Sequence, residues 1–158
     1  MFKLLLALSL ALVGTFIIDQ NIKAIFLEGY RYYGDYIDLI LVYNKGVAFS
    51  MFAFLAEWLK WIQLLLIAGV LGYVIWLRES CYAIPSGILI GAGLSNVYDR
   101  FIHGGVVDYV YWHYGFDFAV FNFADVMIDL AVVWLLVLNF RPQLCRMRHK
   151  DASGSQEA

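Results

Sequence analysis

Residues that could perform acid–base chemistry are concentrated in one stretch of the chain, residues 96–125. Long apolar runs lie on both sides of it, in a chain that is only 15% charged. The charged residues of this stretch are four aspartates and one arginine: Asp99, Asp108, Asp117, Asp125 and Arg100. A carboxylate in a bilayer-spanning segment costs about 2.5–3.5 kcal/mol on insertion scales. Asp125, at the start of the last apolar run, is therefore expected to belong to a functional site.

Asp108 and Asp125 are the candidate pair for catalysis, whereas Asp117 is expected to be a surface residue. When two carboxylates are held close together, one pKa rises and the pair shares a proton. Such a pair can hydrolyse a peptide bond: one member deprotonates a water, and the other protonates the developing oxyanion. The spacing alone leaves two other roles open for Asp125, as a proton relay or as an ion ligand.

The composition predicts an integral membrane protein. The chain is 63% hydrophobic with a mean hydropathy of +0.72, which exceeds the apolar content of typical soluble domains. The net charge of −2 provides no basic field for nucleic-acid binding. Cys81 and Cys145 are too few for a disulfide framework. Both lie beside basic residues at helix ends that we place in the cytoplasm, so we expect them to remain thiols.

The apolar pattern predicts an all-α membrane bundle of four transmembrane helices. Their approximate spans are 3–26, 58–77, 82–98 and 120–140, each close to the length that a bilayer requires. They form a single membrane-embedded domain over residues 1–145, followed by a disordered cytoplasmic tail over 146–158. A cleaved signal peptide is the alternative interpretation of the first span. Small residues recur every four positions in the third span, which predicts close helix packing: Ala83, Gly87, Gly91 and Ser95.

Two connections are expected on the outer side of the membrane. Residues 27–57 are rich in aromatic and β-prone residues, which predicts a small extracytoplasmic β-sheet or cradle. Residues 101–118 are expected to form an outer loop or a short helix. The basic residues Lys3 and Arg78 and the basic tail fall on the opposite side, which predicts that both termini are cytoplasmic.

An ordered set of motifs resembles the lipoprotein signal peptidases (signal peptidase II), a family of four-helix aspartic proteases of the bacterial inner membrane. The resemblance spans residues 15–130, and the combination of motifs is more specific than any one of them. The matching segments are Asp19-Gln-Asn-Ile-Lys23, Tyr43-Asn-Lys-Gly-Val-Ala-Phe-Ser50, Asn96-Val-Tyr-Asp-Arg100, Gly105-Val-Val-Asp108 and Phe121-Asn-Phe-Ala-Asp125.

This resemblance implies a role for each matching position. It assigns the catalytic pair to Asp108 and Asp125. It places four residues in the lining of a substrate or inhibitor site: Asn44, Asn96, Arg100 and Asn122. It implies supporting roles for Asp99, which would orient Arg100 or a helix end, and for Asp19. Two positions depart from the usual family pattern, Val47 and Ser95, and neither touches the proposed pair.

The resemblance also implies a substrate and a setting. The substrate would be a prolipoprotein whose cysteine carries a diacylglyceryl group, cleaved just before that cysteine near the outer, periplasmic interface. Membrane lipids would surround the enzyme, and cyclic depsipeptides of the globomycin type would inhibit it. No cofactor, metal or nucleic-acid partner is implied, and the expected state is a monomer.

Other function classes remain as alternatives. A small ion-coupled transporter would use Asp108, Asp125 and Asp129. A serine intramembrane protease would pair Ser50 or Ser95 with His103 or His113, but no nucleophile motif surrounds either serine. A zinc site lacks the His-Glu-x-x-His spacing. A membrane scaffold would leave the aspartates dispensable.

Overall fold

The protein consists mainly of four long helices. The computed structural model describes residues 1–46 and 56–145. The helices are α1 (Phe2–Leu27), α2 (Ala56–Leu77), α3 (Ala83–Ile102) and α4 (Phe123–Phe140), with a short 3₁₀ turn at Ser80–Tyr82 before α3. Each helix begins and ends within a few residues of its predicted span.

Three of these helices, α1, α2 and α4, are long and apolar enough to cross a membrane. Many of their large side chains face outward, including Leu65 and Trp76, which are 74% and 75% exposed. Such surfaces are expected where lipid is the solvent. The fourth helix, α3, carries Asn96, Asp99 and Arg100 in its last two turns, and whether it also spans the membrane stays a prediction.

Close packing of α3 against α1 places the polar end of α3 beside the last turns of α1. A side-chain carbon on Gly87 would lie 2.5 Å from the backbone oxygen of Leu8, and one on Gly91 would overlap the backbone of Leu12. The small residues of α3 therefore allow the two backbones to approach closely, as the four-residue spacing predicts.

A three-stranded antiparallel sheet, in the order β1–β2–β3, caps one end of the bundle. The strands are β1 (Tyr32–Tyr33), β2 (Ile37–Asn44) and β3 (Val106–Trp112). The pairing of β1 with β2 agrees with the hairpin-like sheet expected within 27–57.

The expected outer loop or short helix at 101–118 was wrong in part, because residues 106–112 form β3. This segment reads Val-Val-Asp-Tyr-Val-Tyr-Trp, in which β-branched and aromatic residues favour a strand. Its register pairs Asn44 with Val106 and Val42 with Asp108. The chain reaches this position through Gly104, whose positive φ of 71° ends the turn after α3. Adding a strand from a distant part of the chain thus brings Asp108 next to the end of β2.

The expectation that both cysteines remain thiols was wrong, because Cys81 and Cys145 form a disulfide. Cys81 lies in the turn before α3, and Cys145 follows α4. These two helices pack side by side, so the start of α3 and the end of α4 lie close together at the end of the bundle opposite the sheet. The prediction relied on the expected compartment and could not foresee that the fold brings two cysteines separated by 64 positions into bonding range.

Candidate active site

Asp108 and Asp125 lie in one cavity between the sheet and the helices. Asp108 comes from β3 and is only 1% exposed. Asp125 lies in the first turn of α4. The two carboxylates therefore reach the same cavity from different elements, as the proposed pairing requires.

Asn122 links the two carboxylates. Its side-chain nitrogen donates a hydrogen bond of 2.7 Å to Asp108, and its backbone nitrogen donates one of 3.0 Å to Asp125. In return, the Asn122 side-chain oxygen accepts a hydrogen bond from the backbone nitrogen of Asp125. This reciprocal arrangement is a capping box that begins α4. The capping interaction that begins α4 thus also fixes the position of the Asp125 carboxylate.

Two further side-chain amides donate hydrogen bonds to the carboxylate oxygens that Asn122 does not contact. Asn44, at the end of β2, donates a hydrogen bond of 3.0 Å to Asp108. Asn96, on α3, donates one of 2.9 Å to Asp125. Each carboxylate therefore receives at least two hydrogen bonds, which fix its orientation.

The pKa of Asp108 is raised to about 7. Burial is the larger cause, because it disfavours the charged form, and the neighbouring charge of Asp125 adds to it. The hydrogen bonds from Asn44 and Asn122 oppose this shift without cancelling it. Asp108 can therefore hold a proton near neutral pH, as a general acid must.

A fully buried ionic cluster lies behind the pair. The Lys23 ammonium is 2.6 Å from the Asp19 carboxylate and 2.7 Å from the Asp99 carboxylate. It also donates a hydrogen bond of 2.8 Å to the side-chain oxygen of Asn96. Because Asn96 in turn contacts Asp125, the cluster is connected to the pair through one amide. The four-residue spacing of Asp19 and Lys23 is compatible with an exposed surface pair or with a polar anchor that supports the site, and the burial of both side chains agrees with the second.

Asp19 and Asp99 act as structural anchors within this cluster. Asp19 accepts hydrogen bonds from the backbone nitrogen of Ala124 and from the Ser95 hydroxyl, which ties α1 to the start of α4. Asp99 accepts one from the backbone nitrogen of Val107, next to Asp108. Asp99 was expected to orient Arg100 or a helix end. Within the described residues it forms no hydrogen bond or ion pair with Arg100, and its role at a helix end stays a prediction. Its observed contact with Val107 positions β3 instead.

Arg100 fixes the turn that follows β2. Its guanidinium donates hydrogen bonds to the backbone oxygens of Lys45 and Gly46. Gln63, on α2, accepts a third hydrogen bond from Arg100 at 3.1 Å. Sequence reasoning missed Gln63, for which the only signal was an isolated amide within an apolar helix.

The cavity has a volume of about 480 Å³. Besides the two carboxylates, it is lined by polar residues predicted from the sequence, namely Asn44, Asn96 and Arg100, and by Gln63 and Asp129. Apolar residues 118–121 and the side chains of Val126 and Ile128 contribute much of the remaining wall. Polar groups are thus gathered at one place on an otherwise apolar wall, as in many ligand sites.

Other predicted groups lie apart from this chemistry. Ser95 is fully buried and donates its hydroxyl hydrogen bond to Asp19, whereas Ser50 and Val47 lie outside the described residues. Asp117 is exposed and accepts a hydrogen bond from Tyr111, in agreement with its predicted surface position. The described histidine, cysteine and acidic residues include no group of three or more arranged to hold a metal ion.

The helices and the buried polar site together define a membrane protein with a hydrogen-bonded carboxylate pair in an apolar-walled cavity. Comparison with known proteins identifies the family to which this membrane protein belongs. The family model described as signal peptidase (SPase) II matches residues 11–141, so the chain belongs to the signal peptidase II family. It is a peptidase of the membrane.

Individual relatives agree with this family. A protein of Sulfurimonas denitrificans named lipoprotein signal peptidase is 70% identical over 139 residues, which cover 88% of this chain and 91% of that protein. One of Wolinella succinogenes with the same name is 56% identical, over 83% of this chain and 91% of that protein. A bacterial membrane enzyme solved by the in meso method at 2.3 Å resolution has a TM-score of 0.75 at 21% identity, covering 85% of this chain and 87% of that one. The last likeness concerns the fold alone.

Proposed function

We propose that this peptidase removes signal peptides from diacylglyceryl-modified prolipoproteins and cleaves just before the lipidated cysteine. Family membership supports the general activity, since a relative of 70% identity is named lipoprotein signal peptidase. The observation that carries the proposed mechanism is that Asn122 contacts both Asp108 and Asp125, and that both carboxylates line one cavity.

In the proposed reaction, Asp108 begins protonated and Asp125 begins ionised. The raised pKa of Asp108 supports the first assignment. The position of Asp125 in the first turn of α4 supports the second, because a helix N-terminus stabilises negative charge. Asp125 takes a proton from water, and the resulting hydroxide attacks the scissile carbonyl carbon while Asp108 protonates the carbonyl oxygen. When the carbon–nitrogen bond breaks, the proton on Asp125 passes to the leaving amine, and Asp108 recovers its own proton from the collapsing intermediate.

The supporting groups have distinct proposed roles. Asn44, Asn96 and Asn122 keep the carboxylates oriented, and Arg100 with the end of β2 shapes the wall that receives the peptide. Lys23, Asp19 and Asp99 hold Asn96 on α3, the start of α4 and the start of β3, respectively. No cofactor enters the proposed reaction.

The proposed setting is the bacterial inner membrane, with α3 as a fourth span and both termini cytoplasmic. The sheet and the cavity lie at one end of the bundle, whereas Arg78 and Arg141 lie at the other. The basic residues support a cytoplasmic location for that end, whereas the Cys81–Cys145 disulfide at the same end is unusual for that compartment. The active site would then lie near the periplasmic interface, where a substrate lipid could enter sideways. Residues 1–145 would form the single domain, and residues 146–158 a disordered tail. The expected binding partners are the prolipoprotein, membrane lipids and globomycin-type inhibitors, and the enzyme acts as a monomer.

The experiment that tests the function uses the purified chain in phospholipid vesicles with a matched pair of prolipoproteins, one carrying diacylglyceryl on the cysteine and one unmodified. We expect cleavage of the lipidated form alone, with mass spectrometry showing a product that begins at the lipidated cysteine. Cleavage at another bond, or equal cleavage of both substrates, would contradict the proposed specificity.

The raised pKa of Asp108 predicts a falling activity at alkaline pH. As the pH rises through about 7, Asp108 loses the proton that the proposed mechanism requires. We therefore expect kcat/KM to fall about tenfold per pH unit well above this value, with an apparent pKa that belongs to the pair. An Asp117→Asn variant, altered only at an exposed carboxylate, should give the same profile. Constant activity up to pH 9 in both proteins would show that Asp108 is not the acid.

A further inference from the structure

Gln63 is a polar side chain of α2 that the proposed reaction does not use. The helix is apolar enough to cross a membrane, and its two charged residues, Glu57 and Lys60, pair with each other. Gln63 instead lines the cavity that contains Asp108 and Asp125. An amide at such a place needs hydrogen-bonding partners, because an unsatisfied amide is unfavourable in apolar surroundings.

Only one half of the Gln63 amide has a partner among the described residues. Its oxygen accepts a hydrogen bond of 3.1 Å from the Nε atom of Arg100. A guanidinium has only donors, so this contact fixes the orientation of the amide, with the oxygen toward Arg100 and the NH₂ group directed away from it. Within residues 1–46 and 56–145 this nitrogen donates no hydrogen bond. Two N–H donors are therefore available at the cavity wall.

The cavity is bordered by two helices that do not pack closely together, α2 and α4. Each of them packs against α3, whereas α2 and α4 have few or no contacts with each other in the described part of the chain. Gln63 lies on the α2 side of the cavity, and Val126 and Ile128 lie on the α4 side. Because both helices are apolar enough to span a membrane, the space between them faces the hydrocarbon. Acyl chains attached to a substrate in the cavity can leave it by this route.

Arg100 separates the side of the cavity that faces α2 from the side that faces the sheet. Its terminal nitrogens donate to the backbone oxygens of Lys45 and Gly46 after β2, whereas its Nε atom faces Gln63. The sheet side offers backbone groups that suit a peptide. The α2 side offers an amide donor beside the lipid, which suits an acceptor on the acyl chains.

The lipid of the proposed substrate carries such an acceptor within reach. About eight covalent bonds join the scissile carbonyl carbon to the nearer ester carbonyl carbon of the diacylglyceryl group, a span of about 10 Å when extended. The cavity has a volume of about 480 Å³, and a sphere of this volume is also about 10 Å across. An ester carbonyl can therefore lie at the cavity wall while the scissile carbonyl lies between the two carboxylates.

We infer that the side-chain nitrogen of Gln63 donates a hydrogen bond to an ester carbonyl oxygen of the substrate's diacylglyceryl group. Gln63 is thus a specificity-determining residue for the lipid, distinct from the groups that hold the peptide. An ester suits this donor because its carbonyl oxygen accepts a hydrogen bond and the ester itself brings no donor or charge into the membrane. The inference rests on the proposed function and deepens it, since it names the part of the substrate that α2 recognises.

The test compares two lipidated prolipoproteins that differ only in how the chains are joined to glycerol, by ester or by ether bonds. The ether form keeps the chains and lacks the carbonyl oxygens. The enzyme is the full chain in phospholipid vesicles. The variant Gln63→Glu keeps an oxygen toward Arg100 and loses the NH₂ group. The control is Lys60→Met, which changes a polar residue one turn earlier on α2.

We expect the wild-type enzyme to prefer the ester substrate by about fivefold in kcat/KM, equivalent to about 1 kcal/mol, which is the usual net contribution of one neutral hydrogen bond. The ratio should fall to about one or below in Gln63→Glu, because this variant has no donor for the carbonyl. It should stay near fivefold in Lys60→Met.

The outcomes separate this inference from the function on which it rests. Equal wild-type rates on the ester and ether substrates would overturn the role of Gln63 and leave the peptidase function intact. So would a preference that survives in Gln63→Glu, and an equal loss on both substrates would assign the donor to a peptide carbonyl instead. If the wild-type enzyme cleaves neither substrate, the proposed function fails and the role of Gln63 fails with it. Should Gln63→Glu not fold, Gln63→Met, which is uncharged and of similar length, takes its place with an expected ratio of about one.

Discussion

Replacing either Asp108 or Asp125 with asparagine is expected to abolish cleavage of a lipidated prolipoprotein. Asparagine has nearly the same size but can neither accept the proton of the attacking water nor donate one to the carbonyl oxygen. Positioned general acids and bases each contribute about 10²–10⁴-fold to rate, so we expect the single-turnover rate constant of each variant to fall by about that factor. The measurement is single-turnover cleavage in vesicles at equal amounts of folded enzyme.

The control for this prediction has to separate chemistry from folding. Asp125 also caps α4 together with Asn122, and Asp108 accepts hydrogen bonds from two amides, so both substitutions disturb local contacts. Asp117→Asn provides a matched control at an exposed position and should retain wild-type activity. Full activity of either Asp108→Asn or Asp125→Asn would remove the paired-carboxylate mechanism and would favour a non-catalytic role for these residues.

Replacing Lys23 with methionine is expected to destabilise the protein more than any other single change of a polar residue outside the carboxylate pair. The ammonium of Lys23 is fully buried between Asp19 and Asp99. Removing one partner of a buried ionic cluster leaves uncompensated charge, at a typical cost of about 3–5 kcal/mol. The apparent Tm in detergent should fall on the order of 10 °C. Activity should fall as well, because Asn96 loses the contact that orients it toward Asp125.

The matched control is Lys60→Met, which removes the exposed pair between Lys60 and Glu57. Surface ion pairs contribute little to stability, so its Tm should stay close to that of the wild type. Adding Asp19→Asn to Lys23→Met should recover part of the lost stability, since it removes one of the uncompensated charges. If the single and double variants melt at the same temperature as the wild type, the buried cluster does not stabilise the fold.

The helices could be predicted from the sequence because each one is an apolar run bounded by polar or turn-forming residues. The start of α4 is readable in the same way, since Asn122 followed three positions later by Asp125 is a capping signal. The resemblance to signal peptidase II then pointed to the amides now found beside the carboxylates. Local patterns and motifs were therefore sufficient for α4 and for the identity of most cavity residues.

The contacts between distant segments could not be predicted in this way. The bond from Asn44 to Asp108 joins residues 64 positions apart, and it depends on β3 pairing with β2. Residues 101–118 contain strand-forming residues, but their sequence does not indicate that the resulting strand pairs with β2. The same limit applies to Lys23, whose contacts with Asp99 and Asn96 exist only because the glycines of α3 allow α1 to approach. Whether Lys23 is buried depends on how the helices pack. Its four-residue spacing from Asp19 is equally compatible with an exposed ion pair.

The disulfide between Cys81 and Cys145 closes a covalent ring that contains α3, β3 and α4. Asp108, Asp125, Asn96, Arg100 and Asn122 all lie on this ring, whereas Lys23 and Asn44 do not. A single cut in the connection between β3 and α4 would therefore leave both carboxylates in one molecule, and the fragments would separate only after reduction. The part of the chain that carries the two carboxylates is, in this sense, circular, and α1, β2 and α2 are linear segments that pack against it.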